Sequence, residues 1–204
     1  MLPSKVLVFL LLLCLMFLQA CSESTSLVPV PEDGVILAFG DSLTVGVGTS
    51  HENSYPVVLA QLTGRNVISA GVSGEETTQG LARLPMVMDE VKPNLLLLLE
   101  GGNDILRNKN RHTTKQNLAA MIELAKARQV QVVLIGVPEK KLFSDVARLY
   151  EELAEQYNLV LADDLLSGLL RKNQYKSDAV HLNQQGYRKM AESIHQLLVK
   201  HGAI

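Results

Sequence analysis

Val35-Ile36-Leu37-Ala38-Phe39-Gly40-Asp41-Ser42-Leu43-Thr44 decides the fold. Val35 to Phe39 is a short apolar run, stopped by a glycine and followed by polar, turn-forming residues. A run of that length bounded by a breaker predicts a buried strand rather than a helix. The same punctuation recurs along the chain. Asn66 to Ala70 leads into Gly71-Val72-Ser73-Gly74, and Leu95 to Leu99 leads into Glu100-Gly101-Gly102-Asn103-Asp104. Val130 to Ile135 ends at Gly136, and Leu159 to Ala162 predicts a short fifth strand. Leu95 to Leu99 is apolar on both faces, as a central parallel strand must be.

Longer amphipathic stretches separate these runs. Helices are predicted over Tyr55–Leu62, Thr77–Val91, Thr114–Arg128, Ser144–Tyr157 and Gln184–His201, the last capped by Asn183. Pro85 inside the second is expected to bend it or to mark a late start. Strands alternating with helices give an α/β fold, a parallel sheet covered on both sides. Ligands of such sheets sit outside the carboxyl ends of the strands. Ser42, Gly74 and Asn103 follow the first, second and third strands, and therefore fall in that place. A fourth block, Asp178-Ala179-Val180-His181, precedes the closing helix.

Together the blocks hold what acyl transfer needs: a nucleophile, a base, and donors where a carbonyl oxygen becomes negative. Ser42 is the candidate nucleophile, its own amide at the start of a helical turn that favours anions. His181 is the candidate base. Asp178, three residues earlier, can meet one ring nitrogen while the other faces Ser42, which fixes the tautomer and stabilises the imidazolium. Asn103 carries two side-chain N–H groups, and Gly74 presents a backbone amide with no side chain in the way. Ser73 is not the nucleophile of a Gly-x-Ser-x-Gly elbow, because position 75 is Glu. Asp41 and Asp104 read as acceptors for turn amides. No tight ligand pattern surrounds them, so no metal and no cofactor are expected.

Composition narrows the partners. Net charge is −2 and there is no Trp, which disfavours nucleic acid; a small-molecule acyl substrate is expected instead. No feature demands an oligomer, and a monomer is expected. The N-terminus reads as a processing segment. Lys5 precedes an apolar run, Val6 to Leu18, of signal-peptide length, and the run ends in Leu18-Gln19-Ala20-Cys21. That ending is similar to the bacterial lipobox, in which the cysteine is lipidated. Residues 1–21 are thus expected to be a lipoprotein signal ending at Cys21, residues 22–33 a flexible tether with two prolines, and residues 34–204 the catalytic domain. Anchoring by more than one acyl chain is stable. Ser22 resembles an outer-membrane address, with the domain in the periplasm. The domain itself contains no cysteine, which excludes a disulfide, a cysteine zinc site and a cysteine nucleophile.

The four blocks resemble those of the GDSL, or SGNH, hydrolases, a family named for Ser, Gly, Asn and His; here they are Ser42, Gly74, Asn103 and His181. The resemblance runs from about Val35 onward. Gly80 to Pro85 and Glu100 to Asp104 resemble the thioesterase I/protease I/lysophospholipase group of bacterial esterases in particular. It implies a flavodoxin-like three-layer α/β/α sandwich with five parallel strands. It also implies Ser42, Asp178 and His181 as catalytic residues, and an oxyanion hole from the Ser42 amide, the Gly74 amide and the Asn103 side chain. Two departures stand out. Thr44 stands where Ser is usual, and Leu182 stands where Pro is common, which puts the stiffness of the His181 loop in question. Ile105 to Arg111 resembles the loop that shapes acyl-chain binding; Arg107, Lys109 and Arg111 make it basic and raise the question of anionic head groups. The expected activity is hydrolysis of acyl esters, thioesters or lysophospholipids. The alternatives are a carbohydrate or peptidoglycan O-acetylesterase and a non-catalytic envelope lipoprotein. An apolar groove would separate the first pair, and the sequence does not show one.

Overall fold

The computed structural model describes residues 25–140 and 145–204. The lipobox, Cys21 and the signal segment lie outside the described residues. A sheet of five parallel strands forms the centre, in the order β2-β1-β3-β4-β5. Its strands are β1 (Val35–Gly40), β2 (Asn66–Gly71), β3 (Leu95–Leu99), β4 (Gln131–Ile135) and β5 (Val160–Ala162). Eight α-helices accompany them among the described residues: α1 (Ser42–Val45), α2 (Tyr55–Thr63), α3 (Thr77–Val91), α4 (Gly102–Leu106), α5 (Arg111–Ala127), α6 (Arg148–Tyr157), α7 (Asp164–Leu170) and α8 (Gln184–Lys200). Helices α2 and α8 pack together, and α5 packs on both α3 and α6. These two helical layers enclose the sheet, which gives the α/β/α sandwich.

The core explains the order of strands. All five leucines of β3 are fully buried, as are Ile36, Leu37, Ala38 and Phe39 of β1. Truncating one such leucine to alanine typically costs about 2–5 kcal/mol. The peripheral β2 is mostly half-buried or exposed, in keeping with its place at the sheet edge. Register then aligns the strand ends. Gly40 pairs with Gly71 on one side and with Leu99 on the other, so the loops after β1, β2 and β3 emerge together. The chain leaves β1 toward β2, then crosses back to β3. Ser42 and Asn103 therefore flank the point where the strand order reverses, the place where such sheets bind ligands.

Several boundaries differ from the sequence reading. Helix α3 runs unbroken through Pro85. Asp145 to Ala147 is not helical: Val146 bridges Pro138, and α6 starts only at Arg148. Helices α1, α4 and α7 are short and escaped the periodicity argument. The tether expected over residues 22–33 is docked over residues 25–31. The Leu27 amide donates to the His201 carbonyl at 2.7 Å, and the Val30 amide to the Ala203 carbonyl at 2.8 Å. Val28 exchanges two hydrogen bonds with the Gln131 side chain, and Val30 is buried in the core. One buried valine and a ladder of backbone bonds to the C-terminus outweigh the freedom that the polar composition implied.

Candidate active site

The site assembles at the carboxyl end of the sheet. Asp41 precedes α1, and its carboxylate accepts the Leu43 amide at 3.0 Å while its carbonyl accepts the amides of Thr44 and Val45. This fixes the tight turn that presents Ser42 as the first residue of α1. Thr44 is fully buried, with its hydroxyl 3.4 Å from that of Tyr55, so the departure at this position is filled by packing. The Ser42 hydroxyl lies 3.0 Å from Nε2 of His181, and Nδ1 of His181 lies 2.7 Å from a carboxylate oxygen of Asp178. Hydroxyl, imidazole and carboxylate thus form one continuous line.

Asp178 is held by more than the imidazole. Its other oxygen accepts the amides of Val180 and His181 at 2.8 and 2.9 Å. Those bonds, led by the Val180 amide, hold its pKa down at about 2. The carboxylate is therefore ionised whenever the imidazole needs it, although its side chain is 54% exposed. The loop does not depend on a proline at position 182. Leu182 is fully buried, the Ser177 amide donates to the His181 carbonyl, and Asn183 ties the loop to Gln174 and Lys176.

The candidate oxyanion donors, Gly74 and Asn103, sit on two neighbouring loops. Gly74 has φ +79°, a left-handed conformation that a side chain strains. The amides of Ser42 and Gly74 donate to no acceptor among the described residues. Asn103 lies in the first turn of α4, whose cap Gly101 has φ +101°; a Cβ there would come within 2.5 Å of the Tyr150 hydroxyl oxygen. Both side-chain N–H groups of Asn103 have protein acceptors. One bond, to the Glu75 carbonyl, is 2.9 Å; the other, to the Asp41 carboxylate, is long at 3.3 Å. Asp104 joins the two loops, accepting from the Thr77 amide, the Thr77 hydroxyl and the Thr114 hydroxyl.

Three features were not read from the sequence. The first is the contact that Arg107, read only as a residue of the basic loop, makes with the Gly74 loop: its guanidinium donates to the Gly74 carbonyl at 3.0 Å and pairs with Glu76. It clasps the Gly74 loop to the end of α4. Lys109 also pairs with Glu76 and Arg111 pairs with Glu139, so the basic loop is engaged in ion pairs within the protein. The second is a layer of buried carboxyls behind the site. Burial, ahead of other causes, pushes Asp41 up to about 6. Glu100 has both oxygens buried without a hydrogen bond, and burial together with Asp41 and Glu75 raises it to about 10. A carboxyl at the end of an apolar strand was the available signal. The third is α7. Its Leu166 and Leu170, with Ile105, Leu106, Val137 and Val180, line a cleft of about 840 Å³ that opens beside Ser42 and His181. That size accommodates a substantial ligand. Among the described residues no group of three or more His, Cys, Asp or Glu side chains could hold a metal ion.

A hydroxyl–imidazole–carboxylate line with converging donors, at the switch point of a doubly wound sheet, is the arrangement of a serine hydrolase, and the relatives narrow that class to the carboxylic-ester hydrolases. The comparisons with known proteins agree on that class. The chain belongs to the GDSL-like lipase/acylhydrolase family, whose model matches residues 38–189. It is similar to an arylesterase of Vibrio mimicus, 34% identical over 177 residues that cover 81% of this chain and 88% of that protein. It is also similar to thioesterase 1/protease 1/lysophospholipase L1 of Escherichia coli K12, 27% identical over 90% of this chain and 87% of that one. Among solved structures, the SGNH-hydrolase family esterase AlinE4 is 31% identical, with a TM-score of 0.64 over 84% of this chain and 97% of its own. The crystal structure of TesA matches at a TM-score of 0.73 and 26% identity, over 80% and 97%.

Proposed function

We propose that Ser42 is the nucleophile of a hydrolase for esters and thioesters of extended acyl chains, lysophospholipids included. The observation that carries this reading is the 3.0 Å approach of the Ser42 hydroxyl to His181 at the wall of an apolar cleft. In acylation, Ser42 Oγ attacks the acyl carbon as its proton passes to His181 Nε2. The carbonyl oxygen becomes negative between the Ser42 amide, the Gly74 amide and the Asn103 side chain. Collapse breaks the bond to the leaving oxygen or sulfur, which takes the proton from the imidazolium. Water then attacks the acyl-enzyme, with His181 again accepting the proton, and releases the carboxylic acid. Asp178 keeps the tautomer and stabilises the imidazolium throughout.

The cleft favours long acyl groups over acetyl. Leu106, Leu166 and Leu170 offer apolar surface to a chain, and each buried CH₂ contributes about 0.8 kcal/mol. The reading extends to location: lipidation at Cys21 would tether the domain to a bacterial envelope membrane, outer by the Ser22 signal, with the domain in the periplasm.

Hydrolysis of p-nitrophenyl esters from acetyl to palmitoyl tests the proposal. Activity should rise beyond acetyl and fall by about 10⁴- to 10⁶-fold in kcat in Ser42→Ala. A profile that peaks at acetyl would favour an O-acetylesterase, and activity retained in Ser42→Ala would remove the serine mechanism.

A further inference from the structure

We infer that the sheet edge opposite the active site is the surface that rests on the anchoring membrane, so that Ser42 faces the aqueous compartment. The inference rests on the lipidation of Cys21 proposed above. Its structural basis is the docked segment that follows. Thr25 is bound at the far end of the fold: its hydroxyl donates to the Asn158 side chain at 2.8 Å, and its carbonyl is 2.5 Å from Nδ1 of His201. Asn158 caps the C-terminus of α6 and His201 caps that of α8. In a doubly wound fold these helix ends gather at the amino-terminal edge of the sheet. The Gln131 side chain that holds Val28 belongs to the first residue of β4, at that same edge.

The length of chain decides the orientation. From Cys21 to Thr25 there are four residue steps, at most about 14 Å when fully extended. Ser42 and His181 lie beyond the other ends of the strands, which are themselves about 17 Å long. A lipid at Cys21 therefore holds the near face against the head groups and leaves the cleft directed away. The near face also carries apolar surface without a cover. Val28 in the docked segment, Leu62 in the last turn of α2 and Val199 in the last turn of α8 are 68%, 39% and 50% exposed. Charge does not select this face, because the helix ends there carry both signs: Asp89, Glu90 and the cap Lys92 at the end of α3, and Lys200 at the end of α8. The substrates reaching Ser42 are then esters arriving from the aqueous side, such as dispersed lysolipids, rather than lipids of the leaflet that holds the anchor.

The test uses the lipidated full-length chain in phosphatidylethanolamine–phosphatidylglycerol vesicles. The domain has no cysteine of its own, so single cysteines at Glu90→Cys, Lys200→Cys and Gln174→Cys can each carry an environment-sensitive fluorophore. A quencher confined to lipid head groups should quench the probes at 90 and 200 and leave that at 174 at the level of the soluble domain. Equal quenching at all three, or quenching at 174 alone, overturns the orientation. Incorporation of labelled palmitate, with Cys21→Ala as the control, reads the anchor separately; a chain that takes up no label overturns the anchor and the orientation together. A second measurement lengthens the link with a Gly/Ser insert between residues 22 and 25. Hydrolysis of lysophosphatidylcholine in the enzyme's own vesicles should rise with the insert, while p-nitrophenyl ester turnover stays constant. No change in the vesicle reaction would also count against the orientation.

Discussion

Asp178 and Glu100 serve one site from opposite sides, and the fold treats their carboxyl groups in opposite ways. Asp178 stands at the open side of the cleft, accepts two backbone amides and the imidazole, and is held at about 2. Glu100 stands behind the oxyanion loops with no hydrogen bond to either oxygen, and is pushed up to about 10. Burial is the largest cause at Glu100, and donated hydrogen bonds are the largest at Asp178. A carboxylate is kept ionised by donors aimed at it, and a buried carboxyl without donors keeps its proton. On the front of the site, negative charge is needed to steady an imidazolium. Behind it, a second full charge beside Asp41 would repel a negative charge developing in front.

The front half of this contrast is the more costly to break. Asp178→Asn keeps the shape but replaces an acceptor of the His181 ring with an amide that can donate, which favours the wrong tautomer. The corresponding change in the serine–histidine–aspartate template costs about 10⁴-fold in kcat. Asp178 is half exposed and water can substitute in part, so about 10²- to 10⁴-fold is expected here. Steady-state kinetics on one p-nitrophenyl ester checks this, and a loss confined to KM would place Asp178 outside the chemistry.

Asn103 joins the two halves, since one N–H meets Asp41 and the residue lines the same cleft as Ser42. Asn103→Ala should lower kcat by about 10²- to 10³-fold with KM little changed, as for loss of one oxyanion donor. Stability is expected to fall by about 1–2 kcal/mol, because the 2.9 Å bond to the Glu75 carbonyl is lost along with the long bond to Asp41. A variant that unfolds while retaining kcat would assign Asn103 to structure instead.

The front of the site was legible in the sequence and the back was not, for a physical reason. Ser42, Gly74, Asn103, Asp178 and His181 each sit in a short block whose turn chemistry marks it, and strand–helix alternation puts three of those blocks at one sheet edge. Contacts between distant loops leave no local mark. The Arg107 clasp on Gly74 spans 33 residues, and nothing near Arg107 announces it. Helix α7 is two leucine pairs within seven residues, too brief for periodicity, yet it supplies one wall of the cleft. The docking of residues 25–31 was hidden because its partners, His201 and Ala203, lie at the other end of the chain.

The smallest effect concerns the back of the site and is read in stability rather than rate. Glu100 and Asp41 have pKa values raised above those of the unfolded chain, so the folded state binds more protons than the unfolded state between those limits. Their contribution is fully present below about pH 4 and is lost as pH rises, through about 6 for Asp41 and about 10 for Glu100. Asp178 acts in the other direction, its contribution being lost as pH falls from about 4 toward about 2. Stability should therefore decline from pH 5 to pH 9. Glu100→Gln removes the titrating group while keeping its shape, and should flatten that decline by up to about 1.4 kcal/mol per pH unit. Chemical denaturation of both proteins across this range gives the slopes. Parallel curves would mean that Glu100 is ionised in the folded state with a partner, and the opposition between the two carboxyls would fail at its buried end.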